Sequence, residues 1–269
     1  MSRAGEKAKE KAVCAGTVPF LVSPEELYAL LPAGRNFLLL LDYDGTLVPY
    51  APTPGEALPG DELVFLLNVL AGRPNVVLAI LSGRSRPDLE ALLPVAGAVM
   101  VFCHGAVIAW PGGRTQAVPV PPGLGQLFEL AAQLFPPSGG FLVENKGHSL
   151  AVHYRLADPV RAVFLLEEFK KRALPSIIKG GELEFLEGEK VLEVRPAGVG
   201  KGRAAQKIMA AFPAHYPVCL GDDTTDEDAF EAVGEKGVTV LVREEGRPSR
   251  ARYRLAGFEE ARRFLKCFL

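Results

Sequence analysis

The chain has 269 residues, of which 48% are hydrophobic and 23% charged, with a net charge of −2. That length can bury a substantial core, as one large domain or as a main domain with an insert. The charge excludes the basic footprint of a nucleic-acid binder, and no apolar run approaches the ~20 residues needed to span a membrane.

Residues 1–11 mix acids and bases and lead into no cleavage site, so they predict a frayed or helical extension rather than a signal peptide. Cys14, Cys103, Cys219 and Cys267 are scattered along the chain. They suit small hydrophobes in a reducing compartment, not a disulfide framework, and the expected location is cytoplasmic.

The first strong signal is the solidly apolar run 37–41, which ends in Asp42-Tyr43-Asp44-Gly45-Thr46. Uninterrupted hydrophobicity of that length predicts a strand buried on both faces, as in a parallel sheet. Ligands of open α/β sheets bind just beyond the carboxyl ends of such strands. Two acids there can hold a divalent cation and attack a phosphorus centre, although an Asp-rich turn has the same composition. A second buried-strand run, 75–81, ends in Ser82-Gly83-Arg84-Ser85. A hydroxyl with exposed backbone N–H groups suits phosphate oxygens, and also an ordinary helix cap.

Between Trp110 and Val199 the pattern changes to helix, strand, strand, repeated once. Residues 123–135 and 159–171 predict amphipathic helices, the second opened by Asp158 and Pro159. Residues 141–144 with 149–154, and 182–186 with 190–195, predict two hairpins. This is an α+β layer whose open sheet face can serve as a lid. Glu144 with Lys146, and Glu193 with Arg195, share strand faces at a spacing of two. They suit either salt bridges between hairpins or hydrogen bonds to sugar hydroxyls.

After the insert, Gly198-Val199-Gly200-Lys201-Gly202 leads into an apolar stripe at 204, 205, 208, 209 and 212, placing Lys201 near a helix N-terminus. The macrodipole disfavours a cation there unless an anion shares the spot. A nucleotide-binding P-loop is excluded, because Arg195 and Gly202 stand where its Gly and Ser/Thr belong. The strand 217–220 then ends in Gly221-Asp222-Asp223-Thr224-Thr225-Asp226-Glu227-Asp228. Capping accounts for a residue near 225 or 226, but not for Asp222 and Asp223. Oxygen donors without a His or Cys cluster predict Mg²⁺ rather than zinc.

As an ordered set, the acid pair, the Ser, the Lys and the second acid pair resemble the four motifs of the haloacid dehalogenase phosphatase superfamily. The resemblance implies an α/β fold: a Rossmann-like parallel-sheet core, 36–111 and 198–269, with an inserted α+β cap, 112–197, and residues 1–35 as an extension. It implies that Asp42 is the nucleophile, Asp44 the general acid and base, Ser82 a phosphoryl ligand and Lys201 the neutralising cation. Asp42, the Asp44 carbonyl and Asp222 then hold Mg²⁺, with Asp223 supporting them. Within that superfamily, the segment from Glu144 through Lys146 to Arg155, the Glu193-Val194-Arg195-Pro196 segment and the Asp222-Asp223 segment resemble trehalose-6-phosphate phosphatases, as does His104-Gly105-Ala106.

By that resemblance Glu144, Lys146, Arg155 and Glu193 contact the glucosyl hydroxyls or phosphate, and Thr46, Gly83, Arg84, His104 and Gly105 line the substrate site. Asn145 departs from the family, where an acid is common. The implied partner is a small-molecule sugar phosphate, and the implied state a monomer. Related phosphatases of glucosylglycerate, mannosylglycerate or sucrose phosphates, a hexose-phosphate mutase and a non-enzymatic sensor are the competing readings.

Overall fold

The computed structural model describes residues 16–51, 53–188 and 190–269. Residues 1–11 and Cys14, read above as an extension and a reduced thiol, lie outside them.

The apolar run forms β2 (Asn36–Asp42), whose Leu38, Leu39, Leu40 and Leu41 are fully buried. Alternation explains this: Leu38 and Leu40 join one hydrophobic core, Leu39 and Leu41 the other, on opposite faces of the sheet. Parallel to β2 run β3 (Val76–Leu81), β4 (Val99–Phe102), β11 (His215–Gly221), β12 (Val238–Val242) and β13 (Tyr253–Leu255). The sheet has nine strands in the order β1-β13-β12-β11-β2-β3-β4-β5-β6. Its edges are β1 (Phe20–Leu21) and β6 (Thr115–Ala117), the latter reached through β5 (Val107–Ala109), and β5 and β6 join antiparallel. Helices α2 (Gly60–Ala71), α3 (Arg86–Leu92), α6 (Lys201–Ala211), α7 (Glu227–Val233) and α8 (Phe258–Lys266) complete this layer.

Two segments at its margins are placed differently from the divisions drawn above. Thr115–Ala117, numbered there with the insert, pairs with β5 in the large sheet. Residues 20–29, numbered with the extension, supply β1 and α1 (Pro24–Ala29), which a Ser23–Glu26 capping box opens. Leu27 of α1 is fully buried, and Tyr28 meets Phe268 edge to face at 5.1 Å.

The insert folds as a second layer with its own core. A four-stranded antiparallel sheet, β7 (Leu142–Asn145), β8 (Leu150–His153), β10 (Val191–Pro196) and β9 (Leu183–Gly188) in that order, carries α4 (Leu124–Leu134) and α5 (Pro159–Gly180) on one face. The helix predicted over 159–171 continues through Pro175 to Gly180. Pro175 removes one backbone hydrogen bond, but Phe169, Ala173 and Ile177, four apart, still face the same apolar core. Tertiary burial therefore outweighs the local stop signal. Phe135 anchors that core, 5.2 Å from Phe141 and 5.6 Å from Phe169.

Candidate active site

Adjacent parallel strands bring the core residues together. Asp42 ends β2, and β3 and β11 flank it, so Ser82 and Asp222 follow from the neighbouring strand ends. Lys201, the first residue of α6, reaches down between them and is 3% exposed. Its ammonium donates to Asp42 Oδ1 at 2.5 Å and to Asp226 Oδ1 at 2.8 Å. The anion that its place at a helix N-terminus demanded is thus a pair of carboxylates. Burial works against the Lys201 charge, but Asp226 and Asp42 outweigh it and hold the amine protonated.

Asp42, Asp222 and Asp226 form a buried cluster with one oxygen of each within 4.8 Å of the others. Burial, reinforced by the neighbouring charges, pushes Asp42 up despite Lys201. Burial and then the Asp226 charge push Asp222 up to about 7. Three carboxylates crowded this way are short of positive charge. Asp226, which its position before α7 had suggested for capping, turns inward; its second oxygen accepts the Asp222 and Asp223 backbone N–H groups, both at 3.1 Å. Asp223, expected beside the cation, caps the turn by accepting from the Thr224 N–H at 2.7 Å, and lines the cleft.

Thr46 is fully buried and its hydroxyl lies between Asp42 Oδ2 (3.2 Å) and Asp222 Oδ1 (3.1 Å). Gly45 makes that approach possible: its φ is +85°, and a Cβ there would stand 2.3 Å from Asp222 Oδ2. Asp44 faces the cleft and takes both arms of Arg84, at 2.8 and 2.6 Å. Ser82 is fully buried, its Oγ accepting the Arg84 N–H at 3.2 Å.

The 82–84 loop is strapped to the Cys103–Gly105 turn by His104 N–H to the Ser82 carbonyl and Cys103 N–H to the Arg84 carbonyl, both 2.9 Å. Cys103 and His104 hold left-handed φ values of 48° and 55°, uncommon for side-chain-bearing residues and found where function fixes the backbone. Gly105 follows at φ +107°. The His104 ring fills the space where a Gly83 side chain would stand, its Nε2 2.3 Å from that Cβ position.

The open face of the insert's sheet supplies the opposite wall. Glu144, Ala151 and Glu193 are in register across β7, β8 and β10; Glu144 lines the cleft, while Glu193 is buried beneath Lys146 and His104. Lys146, just past β7, donates to Glu193 Oε2 at 3.0 Å and to the Gly83 carbonyl of the core at 2.9 Å. Burial opposes ionisation of Glu193, yet Lys146 and then His104, 3.4 Å away, hold its carboxyl well below the usual range. For Glu144 burial is likewise outweighed, by the His153 hydrogen bond at 2.9 Å and the Lys146 charge. Arg155 lines the same cleft. Arg195, weighed above with Glu193, turns to Glu184 on β9 at 2.8 Å, a bridge between strands.

Together the two walls line one open cleft. Asp226, Tyr50, His153 and Lys190 join it or its supporting cluster without having carried a sequence signal.

A family model described as trehalose-phosphatase matches residues 40–258. The trehalose-6-phosphate phosphatase of Escherichia coli K12 is 32% identical over 249 residues, 90% of this chain and 87% of that protein. The bifunctional trehalose-6-phosphate synthase/phosphatase of Thermoproteus tenax is 35% identical, but the chain, with 91% of its own length aligned, spans 33% of that longer protein. Among solved structures, the C-terminal domain of the C. albicans trehalose-6-phosphate phosphatase superposes with a TM-score of 0.79 at 26% identity, covering 93% of this chain and 98% of that one. A haloacid dehalogenase-like hydrolase from Bacteroides thetaiotaomicron shares the fold at 15% identity, with a TM-score of 0.64 over 87% of this chain and 100% of that one. On this match, which extends through both walls of the cleft, the chain belongs to the trehalose-phosphatase family.

Proposed function

We propose that the chain is a Mg²⁺-dependent phosphatase that hydrolyses trehalose 6-phosphate to trehalose and phosphate through an aspartyl-phosphate. The observation that carries this reading is the buried Asp42–Lys201 pair, 2.5 Å apart, at the floor of a cleft whose other wall bears Glu144 and Lys146, the latter held from behind by Glu193. An Asp42 oxygen attacks phosphorus and the bond to the sugar oxygen breaks. Asp44 gives the departing oxygen its proton, then takes one from the water that cleaves the acyl-phosphate. Because Arg84 grips Asp44 through both oxygens, the guanidinium moves onto the phosphate as substrate enters. Ser82, Thr46 and the backbone near Gly83 complete the phosphoryl site. Glu144, Lys146, Arg155 and Glu193 take the sugar hydroxyls.

The residues suit Mg²⁺: the clustered donors are all carboxylate oxygens, and each has been pressed toward neutrality or compensated by Lys201. Asp42, Asp222 and the Asp44 carbonyl would hold the ion, with Asp226 and Asp223 fixing the loop that presents Asp222. Bound there, the ion offsets the negative charge of nucleophile and phosphate. The protein acts as a monomer in the cytoplasm; the Cys103 and Cys219 thiols are buried and unpaired, as a reducing compartment allows.

Phosphate release is the test, measured with Mg²⁺ and with EDTA on trehalose 6-phosphate, sucrose 6-phosphate, glucosyl-3-phosphoglycerate and glucose 6-phosphate. Mg²⁺-dependent preference for trehalose 6-phosphate is expected. Preference for another disaccharide would keep the core chemistry and discard the roles given to the cap. No release from any substrate would sink the reading.

A further inference from the structure

Tyr50 belongs to none of the motifs that led to the site, yet it sits on the segment between β2 and α2 and lines the cleft. Its hydroxyl donates to Asp222 Oδ2 at 2.7 Å. The other oxygen, Asp222 Oδ1, lies 3.1 Å from the Thr46 hydroxyl, which it shares with Asp42 Oδ2 at 3.2 Å. Gly45 lies against the same carboxylate, since a Cβ there would fall within 2.7 Å of both Asp222 oxygens and its carboxyl carbon. Two hydroxyls of one short loop, the loop that follows the nucleophile on the neighbouring strand, therefore hold Asp222, and Gly45 of the same loop leaves room for it.

Each carboxylate oxygen carries two lone pairs, so one hydroxyl on each leaves one for a cation. A carboxylate held this way cannot rotate away when the ion binds. Hydrogen-bond partners that orient a ligand without touching the metal typically change affinity by about 10–100-fold when removed.

We infer that Tyr50 is a positioning residue of the cation site, its hydroxyl fixing the Asp222 carboxylate in the orientation that binds a divalent ion. This rests on the Mg²⁺ reading above. Tyr50 touches neither the nucleophile nor its lysine through a hydrogen bond, so its effect is on loading of the ion and not on the displacement itself.

Calorimetric titration of Mg²⁺ into the whole chain, without substrate, tests this on the wild type, Tyr50→Phe and Tyr50→Ala. The Phe variant keeps the ring and removes only the hydroxyl. Its Mg²⁺ dissociation constant is expected to rise about 10–100-fold. The Mg²⁺ concentration for half-maximal phosphate release should rise in parallel, while KM for the sugar phosphate at saturating Mg²⁺ moves less than about twofold. Thermal unfolding without Mg²⁺, expected to match the wild type, checks that the loop still folds. Wild-type affinity in Tyr50→Phe overturns the inference, and so does tighter binding, which would make Tyr50 a competitor of the ion. Loss confined to Tyr50→Ala also overturns it, assigning the effect to the ring. A wild type that binds no Mg²⁺ would instead bring down the cation reading itself.

Discussion

On the core side of the cleft, Asp42, Ser82 and Asp222 follow the ends of three neighbouring parallel strands, and main-chain register sets their spacing. On the cap side, Glu144, Lys146 and Glu193 come from different antiparallel strands and their margins, and mutual charge holds them. The core sheet is buried on both faces, with Leu38 and Leu39 alike at 0% exposure. The cap sheet buries one face and offers the other to the cleft. In the proposed function, chemistry would thus rest on rigid backbone geometry, and recognition on side chains held by one another's charge. If that division is right, core substitutions should strike turnover, and cap substitutions should strike stability and selectivity.

On the proposed mechanism, the largest effect falls on Asp42. Asp42→Asn should lower phosphate release by about 10⁵-fold or more, as loss of a covalent nucleophile does, with the fold retained by circular dichroism. Hydrolysis at an undiminished rate would break the covalent scheme. Asp44→Asn comes next, at about 10²–10⁴-fold on trehalose 6-phosphate. With a p-nitrophenyl ester, whose leaving group needs no proton, its deficit in the first step should shrink markedly. An equal deficit on both substrates would remove Asp44 from the role of acid.

Two cap variants probe the other half of the comparison. Phe169 is fully buried and packs against Phe135 and Phe185. Phe169→Ala should cost about 3–5 kcal/mol in the cap, read by urea unfolding as a separation of cap and core transitions. Lys146→Met leaves the buried Glu193 carboxylate without its ammonium, at a cost of about 3–5 kcal/mol. Adding Glu193→Gln should restore much of the stability while kcat/KM for the sugar phosphate stays low. Recovery of both together would mean that the pair is only structural.

Much of the core was legible because its signals are local. An apolar run ending in acids fixes both the strand and the place of Asp42, and the anion demanded by Lys201 at a helix start proved to be Asp42 and Asp226. Asp226 itself was hidden: four residues past Asp222 and just before α7, it has the spacing of a cap, and only the inward turn of the loop reveals it. Tyr50 was hidden for a different reason. Its partner Asp222 lies 172 residues away, and no periodicity marks the loop that joins them. In the cap the hairpins could be read from alternation, but the row Glu144–Ala151–Glu193 depends on pairing order, which alternation does not set. The end of α5 was obscured by Pro175, whose local preference yields to burial of Ala173.

The smallest expected effect lies where the two walls meet. His104 belongs to the core and stands 3.4 Å from Glu193 of the cap. Burial pushes its imidazole below the ordinary value, and the Glu193 charge offsets only part of that. In the unfolded chain a histidine titrates near pH ~6.5. Between that value and the lower folded one, the unfolded state binds more protons, so stability rises with pH. The His104 contribution is therefore fully present above about pH 6.5 and is lost as pH falls toward the depressed folded value. Glu193, held below its ordinary range, loses its own contribution only at more acid pH, as its carboxyl protonates. Asp222, pushed up to about 7, gains stability on acidification in both proteins. In urea unfolding between pH 8 and 5.5 the stability of the wild type should therefore fall relative to that of His104→Gln, whose amide does not titrate, as pH drops below about 6.5. Equal slopes would mean that the junction of core and cap carries its histidine without a titration cost, and that acid sensitivity comes from elsewhere in the chain.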